Sequence, residues 1–159
     1  MSELILAALI VLADQLVKYL SAALVMRRGA VVLIPNVIQL SYVRNYGASY
    51  SILQGKTLFL LIVTGVVCMG ILILLTMERP KAALGRLALS MVLGGAVGNA
   101  LDRLADGYVT DMLEILLIEF PVFNVADCFI TVGGCLFILY TFLDERRKKT
   151  EIQDAGSTD

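Results

Sequence analysis

The chain has 159 residues and a formal net charge of −1, and 58% of its residues are hydrophobic. Its mean hydropathy of +0.84 excludes an ordinary soluble domain, because the apolar residues gather in four long blocks instead of recurring at short intervals. Histidine is absent, which excludes a histidine base, and the three cysteines lack the spacing of a disulfide framework or a zinc site. The composition therefore predicts an all-α polytopic membrane protein.

The four apolar blocks predict four transmembrane helices, over about residues 4–26, 57–77, 84–101 and 124–143. The second block contains no charged residue, and at about 1.5 Å per residue it spans roughly 31 Å, close to the thickness of a hydrocarbon core. The first block lacks the basic start of a signal peptide and is interpreted as a retained helix. Residues 1–143 are thus expected to form one membrane domain.

A small extracytoplasmic β-sheet element is predicted between the first two spans, over about residues 31–54. Residues Val37–Val43 alternate between apolar and polar side chains, as a half-buried strand does. Turn residues flank this segment, and Ser49–Leu53 is the candidate for a second strand. Because a sheet edge cannot face lipid, the element is expected to cap the helices at the outer surface.

The distribution of cations predicts the orientation in the membrane. A basic cluster, Arg146–Lys149, directly follows the fourth span, and Arg79, Lys81 and Arg86 lie between the second and third spans. Both regions are expected to be cytoplasmic, which places both termini in the cytoplasm. The polar residues 144–159 carry charges of both signs without an apolar period, and they are predicted to form a disordered cytoplasmic tail.

Polar residues within the predicted spans are candidates for function. Asp14 and Lys18 are four residues apart on one helix face and can neutralise each other, either as a structural ion pair or as part of a site. Asn99, Asp102 and Arg103 share a face at the outer end of the third span, where Asp102 and Arg103 are expected to brace the following loop.

Small residues in the third span predict a close helix contact. Ser90, Gly94 and Gly98 recur every four residues and leave a smooth stripe against which another helix can pack.

Asp111 and Asp127 each lie at the edge of an apolar segment. An ionisable side chain near the hydrocarbon is a functional candidate, and two facing carboxylates that share one proton are typical of aspartic proteases. A solvated loop carboxylate at Asp111 and a helix N-cap at Asp127 remain open alternatives.

Five motifs in this chain resemble, in the same order, those of bacterial lipoprotein signal peptidases, also called signal peptidase II. They are Asp14–Lys18, Asn45–Ser49, Gly94–Arg103, Val109–Asp111 and Phe123–Asp127. One departure is Ser49-Tyr50, where the family usually has Ala-Phe. The resemblance covers nearly the whole chain before the tail.

The resemblance implies an aspartic endopeptidase of the inner membrane that needs neither metal nor cofactor. It implies cleavage of prolipoproteins immediately before a cysteine that carries diacylglycerol, with the site toward the outer face. Asp111 and Asp127 match the catalytic pair of the family. Residues matching those that the family keeps around the site are Asp14, Lys18, Asn45, Asn99, Asp102, Arg103 and Asn124.

The implied partners are prolipoproteins and membrane lipids, without nucleic acid, and a monomer is expected. A small ion-coupled transporter is the alternative, since it would also place Asp14, Lys18 and Asp102 inside the membrane. The apolar blocks show neither the repeat symmetry nor the paired interrupted helices of such transporters.

Overall fold

The computed structural model describes residues 2–48 and 52–156, which form four long helices and a small sheet. In chain order the elements are α1 (Ser2–Arg28), β1 (Val31–Ile34), β2 (Ile38–Asn45), α2 (Thr57–Ile73) with a π-helical turn (Leu74–Glu78), α3 (Ala83–Ala105), β3 (Val109–Ile115) and α4 (Val125–Gly156). Within the described residues, four helices are long and apolar enough to cross a membrane. The predicted fold class is confirmed.

When the π-helical turn is counted with α2, each helix extends beyond the span predicted for it, except at the start of α2 and α4. The largest difference is in α4, which continues to Gly156 where a disordered tail was predicted from Asp144. Asp144 and Lys148 are one helical turn apart and form an ion pair of 2.7 Å there, an arrangement that supports a helix even without apolar residues. Residues 157–159 of the predicted tail lie outside the described residues.

Helix α3 is the central element of the fold and packs against the other three helices. A Cβ atom at Gly94 would lie 2.8 Å from the carbonyl oxygen of Ala7, and one at Gly98 would lie 2.8 Å from a carboxylate oxygen of Asp14. The small-residue stripe therefore contacts α1, as close packing between membrane helices requires. The prediction of a close helix contact is confirmed, and it brings Asp14 directly against α3.

The three strands form one antiparallel sheet in the order β1-β2-β3. Leu40 of β2 pairs with both Val31 and Leu113, so β2 is the central strand, as the alternation suggested. Of the candidate second strand, Ser49–Leu53, only the last two residues are described, and they belong to a turn. Residues 52–55 form a turn, Ser49–Ser51 lie outside the described residues, and β1 and β3 complete the sheet instead.

The sheet lies at one end of the helical bundle, which we call the sheet end. Here α1 and α3 finish, and α2 and α4 begin. Backbone hydrogen bonds join β3 to the start of α4, because the amides of Met112 and Leu113 donate to the carbonyl of Phe123 over 3.0 and 2.8 Å. The amide of Phe123 in turn donates to the carbonyl of Leu113 over 3.0 Å. These bonds hold the two segments that carry Asp111 and Asp127 side by side.

Candidate active site

Asp111 lies on β3 and is only 2% exposed. Its two carboxylate oxygens accept hydrogen bonds from Nδ2 of Asn45 at 3.0 Å and from Nδ2 of Asn124 at 2.6 Å. Burial raises the pKa of the carboxyl to about 6, and the charge of Asp127 also raises it, whereas the two amide hydrogen bonds oppose the change. The solvated-loop alternative for Asp111 is therefore wrong.

Asp127 lies in the first turn of α4, where Asn124 rather than Asp127 is the N-cap. The side-chain oxygen of Asn124 accepts from the amide of Asp127 at 2.9 Å, and the carboxylate of Asp127 accepts from the amide of Asn124 at 3.2 Å. This reciprocal pair is a capping box. It fixes the orientation of the Asp127 side chain at the helix start, and Asn99 Nδ2 donates to its other oxygen at 2.8 Å.

Two asparagine side chains connect the carboxylates of Asp111 and Asp127. Nδ2 of Asn124 donates to Asp111 and also to Oδ1 of Asn99 at 3.1 Å, while Nδ2 of Asn99 donates to Asp127. The side-chain amides of Asn45, Asn99 and Asn124 each have hydrogen atoms to donate. In the structure each of them donates to a carboxylate, so their principal contacts orient the two acids.

Lys18 lies behind the two asparagines and contacts two acidic side chains. Its Nζ is 2.8 Å from Oδ2 of Asp14 and 2.8 Å from Oδ2 of Asp102, and it donates to Oδ1 of Asn99 at 3.0 Å. All three charged residues are buried, with Asp14 fully inaccessible and Lys18 5% exposed. We call Asp14, Lys18 and Asp102 the Lys18 cluster. The predicted Asp14–Lys18 pair exists, but it is part of this larger arrangement.

Both acids of the Lys18 cluster also accept from backbone amides next to the candidate catalytic residues. Oδ1 of Asp14 accepts from the amide of Ala126 at 2.9 Å, and Oδ2 of Asp102 accepts from the amide of Thr110 at 3.0 Å. Ala126 and Thr110 immediately precede Asp127 and Asp111, respectively. One buried lysine thus joins the two backbone segments that position the acids.

Arg103 braces a different segment from the one predicted. Its Nη2 donates to the carbonyl of Gly47 at 2.8 Å, and the amide of Gly47 donates to Oδ1 of Asn45 at 2.9 Å. Arg103 therefore holds the turn after β2, whereas Asp102 holds the start of β3, next to Asp111. As a result, the side-chain oxygen of Asn45 accepts a hydrogen bond within its own turn, and the side-chain amide of Asn45 donates to Asp111.

A cavity of about 1110 Å³ opens onto Asp111 and Asp127, and most of its lining residues are apolar. Leu60 and Val63 of α2 and Ile130 and Val132 of α4 contribute to its walls. Asn99 and Arg103 join the two acids as polar residues of the lining. An apolar cavity with a few convergent polar groups is the usual form of a ligand site.

The chain is similar to proteins of a known family. Residues 6–143 match the family described as signal peptidase II. The chain belongs to the signal peptidase II family.

Similar proteins named lipoprotein signal peptidase occur in Brevibacillus brevis, at 43% identity over 91% of this chain and 97% of that protein, and in Enterococcus faecalis, at 39% identity over 91% and 90%. A solved structure described as a bacterial membrane enzyme has a TM-score of 0.82 and 27% identity, and the alignment covers 92% of this chain and 91% of that one. The sequence therefore shows membership of the peptidase family, and the fold is that of a bacterial membrane enzyme.

The structure adds Gln15 to the residues of the candidate site. Its Nε2 donates to Oδ1 of Asp102 at 2.7 Å and to the carbonyl of Gly98 at 3.2 Å. The sequence contained a signal for it, since Gln15 is a polar residue next to Asp14 inside a span. Among the described residues, no group of three or more histidine, cysteine or acidic side chains is arranged to hold a metal ion.

Proposed function

We propose that this protein is an aspartic endopeptidase that removes the signal peptide from prolipoproteins, cutting before the diacylglyceryl-modified cysteine. The observation that carries the proposal is the pair of carboxylates, Asp111 and Asp127, bridged by Asn124 and Asn99 at an apolar cavity. Family membership supplies the reaction class, and the names of the relatives indicate the kind of substrate.

The proposed chemistry requires the two acids to share one proton. One protonated carboxyl donates a hydrogen bond to the scissile carbonyl, and the ionised partner removes a proton from the attacking water. The tetrahedral intermediate then collapses, its C–N bond breaks, and the acid that holds the water proton passes it to the leaving amine. A pKa of about 6 at Asp111 supports this scheme, because such a carboxyl exchanges its proton near neutral pH.

The apolar cavity suits a lipid-modified substrate. Its walls on α2 and α4 provide surface for acyl chains and for the hydrophobic signal peptide, while the polar groups lie at the acids. We place the site toward the outer membrane face and both termini in the cytoplasm, on the basis of the cations in Arg146–Lys149. The catalytic unit in this proposal is a monomer in the inner membrane, without a metal or cofactor.

The arrangement of the Lys18 cluster favours a peptidase framework over the ion-coupled transporter. Lys18 contacts both acids, and each acid also accepts from a backbone amide, so the three side chains are held in place by the fold. A transport pathway would require such charges to exchange partners with a moving ion.

The decisive experiment is cleavage of a purified, diacylglyceryl-modified prolipoprotein by purified enzyme variants. Asp111→Asn and Asp127→Asn should each lower turnover by about 10² to 10⁴-fold or more, the usual contribution of a general acid or base. Asp106→Asn is the matched control, because Asp106 is exposed and close in sequence to Asp111. Wild-type turnover in either active-site variant would disprove the aspartic mechanism.

Two further measurements test the finer parts of the proposal. Cleavage should persist in the presence of a strong chelator and in Cys128→Ala, although Cys128 is next to Asp127 and lines the cavity. The same precursor without diacylglycerol should be cleaved much more slowly, and equal rates for the two precursors would exclude recognition of the lipid.

A further inference from the structure

A second cavity, of about 320 Å³, lies at the end of the bundle opposite the sheet. It is bounded by the π-helical turn after α2, by the linker to α3 and by the later part of α4. Asp144, which lines it, is 17 residues beyond Asp127 on the same helix, or about 26 Å along the axis. The cavity is therefore separate from the candidate active site and lies where the helices leave the apolar region.

The rim of this cavity is basic. Four cations and two acids line it, and they are Arg79, Lys81, Arg147, Lys148, Glu78 and Asp144. Lys148 contacts Asp144 at 2.7 Å, and Arg79 contacts Glu3, outside the lining, at 3.0 Å. Glu3 is shared with Arg86, at 3.1 Å. Among the lining residues themselves, the cations outnumber the acids by two.

The floor of the cavity is apolar. Leu74, Leu89 and Phe137 contribute to it, and Leu89 is buried in the core. The ring of Phe137 lies 5.9 Å from that of Tyr140, which also lines the cavity. A small soluble anion would use only the basic rim, whereas an amphiphile would fill both parts.

We infer that this cavity binds an anionic phospholipid from the leaflet opposite the active site. The phosphate group contacts the basic rim, and the upper part of an acyl chain packs on Leu74 and Phe137. Basic pockets between transmembrane helices are suited to anionic headgroups, because the cations attract the phosphate while the helices shield it from water. The inference does not depend on the proposed peptidase activity.

The test is lipid binding by the purified full-length chain in a neutral detergent. Native mass spectrometry and thermal unfolding are measured with added phosphatidylglycerol, phosphatidylcholine or inorganic phosphate. Phosphatidylglycerol should bind and stabilise the protein more strongly than either of the others. If phosphatidylcholine or inorganic phosphate had the same effect as phosphatidylglycerol, the assignment to an anionic lipid would be overturned.

Neighbouring residues on α4 provide a matched pair of variants. Arg147→Gln with Lys148→Gln removes two cations from the rim, whereas Arg146→Gln with Lys149→Gln removes the same two residue types beside it. The affinity of the first variant for phosphatidylglycerol should be lower by about tenfold or more. The second variant should bind like the wild type. Equal weakening in both would show general attraction to a basic surface and would refute the site. If the rim variant fails to fold, Lys81→Gln tests the same rim from the linker, and unchanged binding in it would count against the proposal.

Discussion

Lys18 is the residue on which both halves of the candidate site depend. Its ammonium contacts Asp14, whose other oxygen holds the amide before Asp127, and Asp102, whose carboxylate holds the amide before Asp111. Buried acids without a cation are costly, because desolvation of a charge is only offset when its partner is present. Lys18 therefore stabilises the fold and, through two carboxylates, the geometry of the acid pair.

We predict that Lys18→Met lowers both stability and cleavage. Removing one partner from a buried ion pair costs about 3–5 kcal/mol, and here two acids lose their cation. Lys56→Met, the same substitution at an exposed position, should change the unfolding free energy very little. Thermal unfolding of the two variants measures the role of each lysine in stability, and steady-state kinetics measures its role in cleavage. A Lys18→Met protein as stable as the wild type would contradict the conclusion that Lys18 stabilises the two buried acids.

The same geometry gives an expectation for the double variant Asp14→Leu with Lys18→Leu. Removing both members of the pair avoids one stranded charge but leaves Asp102 without its cation. Gln15 and the amide of Thr110 still donate to Asp102, so we expect the double variant to fold better than Lys18→Met. It should still cleave poorly, because the amide of Ala126 has lost its acceptor. Full activity would restrict the pair to a structural role.

The raised pKa of Asp111 predicts a pH dependence of stability. Its folded pKa of about 6 exceeds the ordinary value of 3.8, so ionisation opposes folding. This penalty is absent below about pH 4, develops between about pH 4 and 6, and reaches at most about 2–3 kcal/mol above that range. The wild type should therefore lose stability over this interval relative to Asp111→Asn. If the difference in unfolding free energy between the two proteins were the same at every pH, Asp111 would not titrate in this way.

At the scale of secondary structure, the site depends on how closely α3 approaches its neighbours. Gly98 allows Asp14 to reach α3, and Gly95 allows the first turn of α4 to lie against the same helix. A Cβ atom at Gly95 would collide with the carbonyl of Ala126 and lie 2.8 Å from Cγ1 of Ile130. The start of α4, and with it Asp127, is thus positioned by a glycine on another helix.

We predict that Gly95→Ala destabilises the protein by about 1–3 kcal/mol, since the added methyl group has no space and must displace α4. Gly65→Ala is the matched control in α2, because no atom lies within 4 Å of a Cβ atom built there. That change should be neutral or slightly stabilising. Unfolding in detergent and cleavage assays compare the two, and equal effects would refute close packing at Gly95.

At the scale of the whole molecule, the chain has two chemically different ends. The sheet end carries the two acids and the large apolar cavity, whereas the opposite end carries the small basic cavity and the cations of the α2–α3 linker and α4. This polarity suits a peptidase whose water and product lie on one side of the membrane and whose basic end faces anionic lipid on the other.

The predicted orientation can be measured by labelling single cysteines in a cysteine-free variant. Arg28→Cys and Asp106→Cys lie at the sheet end, and Lys149→Cys and Gln153→Cys lie toward the other end; all four positions are exposed. In intact cells, an impermeant thiol reagent should label the first pair and not the second. Permeabilised cells should label all four. The reverse pattern in intact cells would invert the topology and the proposed access to the substrate.

The sequence alone determined the four spans, the central strand and the identity of the acid pair as candidates. Span length is a local property, because any helix that crosses the hydrocarbon needs about 20 apolar residues. The alternation in β2 is equally local. The motifs identified Asp111, Asp127 and the polar residues around them as candidates, but they did not show which groups would be in contact.

Only the tertiary structure decided those contacts. The β3 strand was missed because its Asp111 and Glu114 interrupt a simple apolar pattern, and its pairing partner β2 lies far away along the chain. Asp14 and the amide of Ala126 are 112 residues apart, and Gln15 and Asp102 are 87 apart. Sequence periodicity reports which residues share a face of one helix, but partners on different helices depend on how those helices pack. Here glycines on α3 set the packing of the helices. That packing places Lys18 between Asp14 and Asp102, and it brings both of these acids to the backbone of the candidate active site.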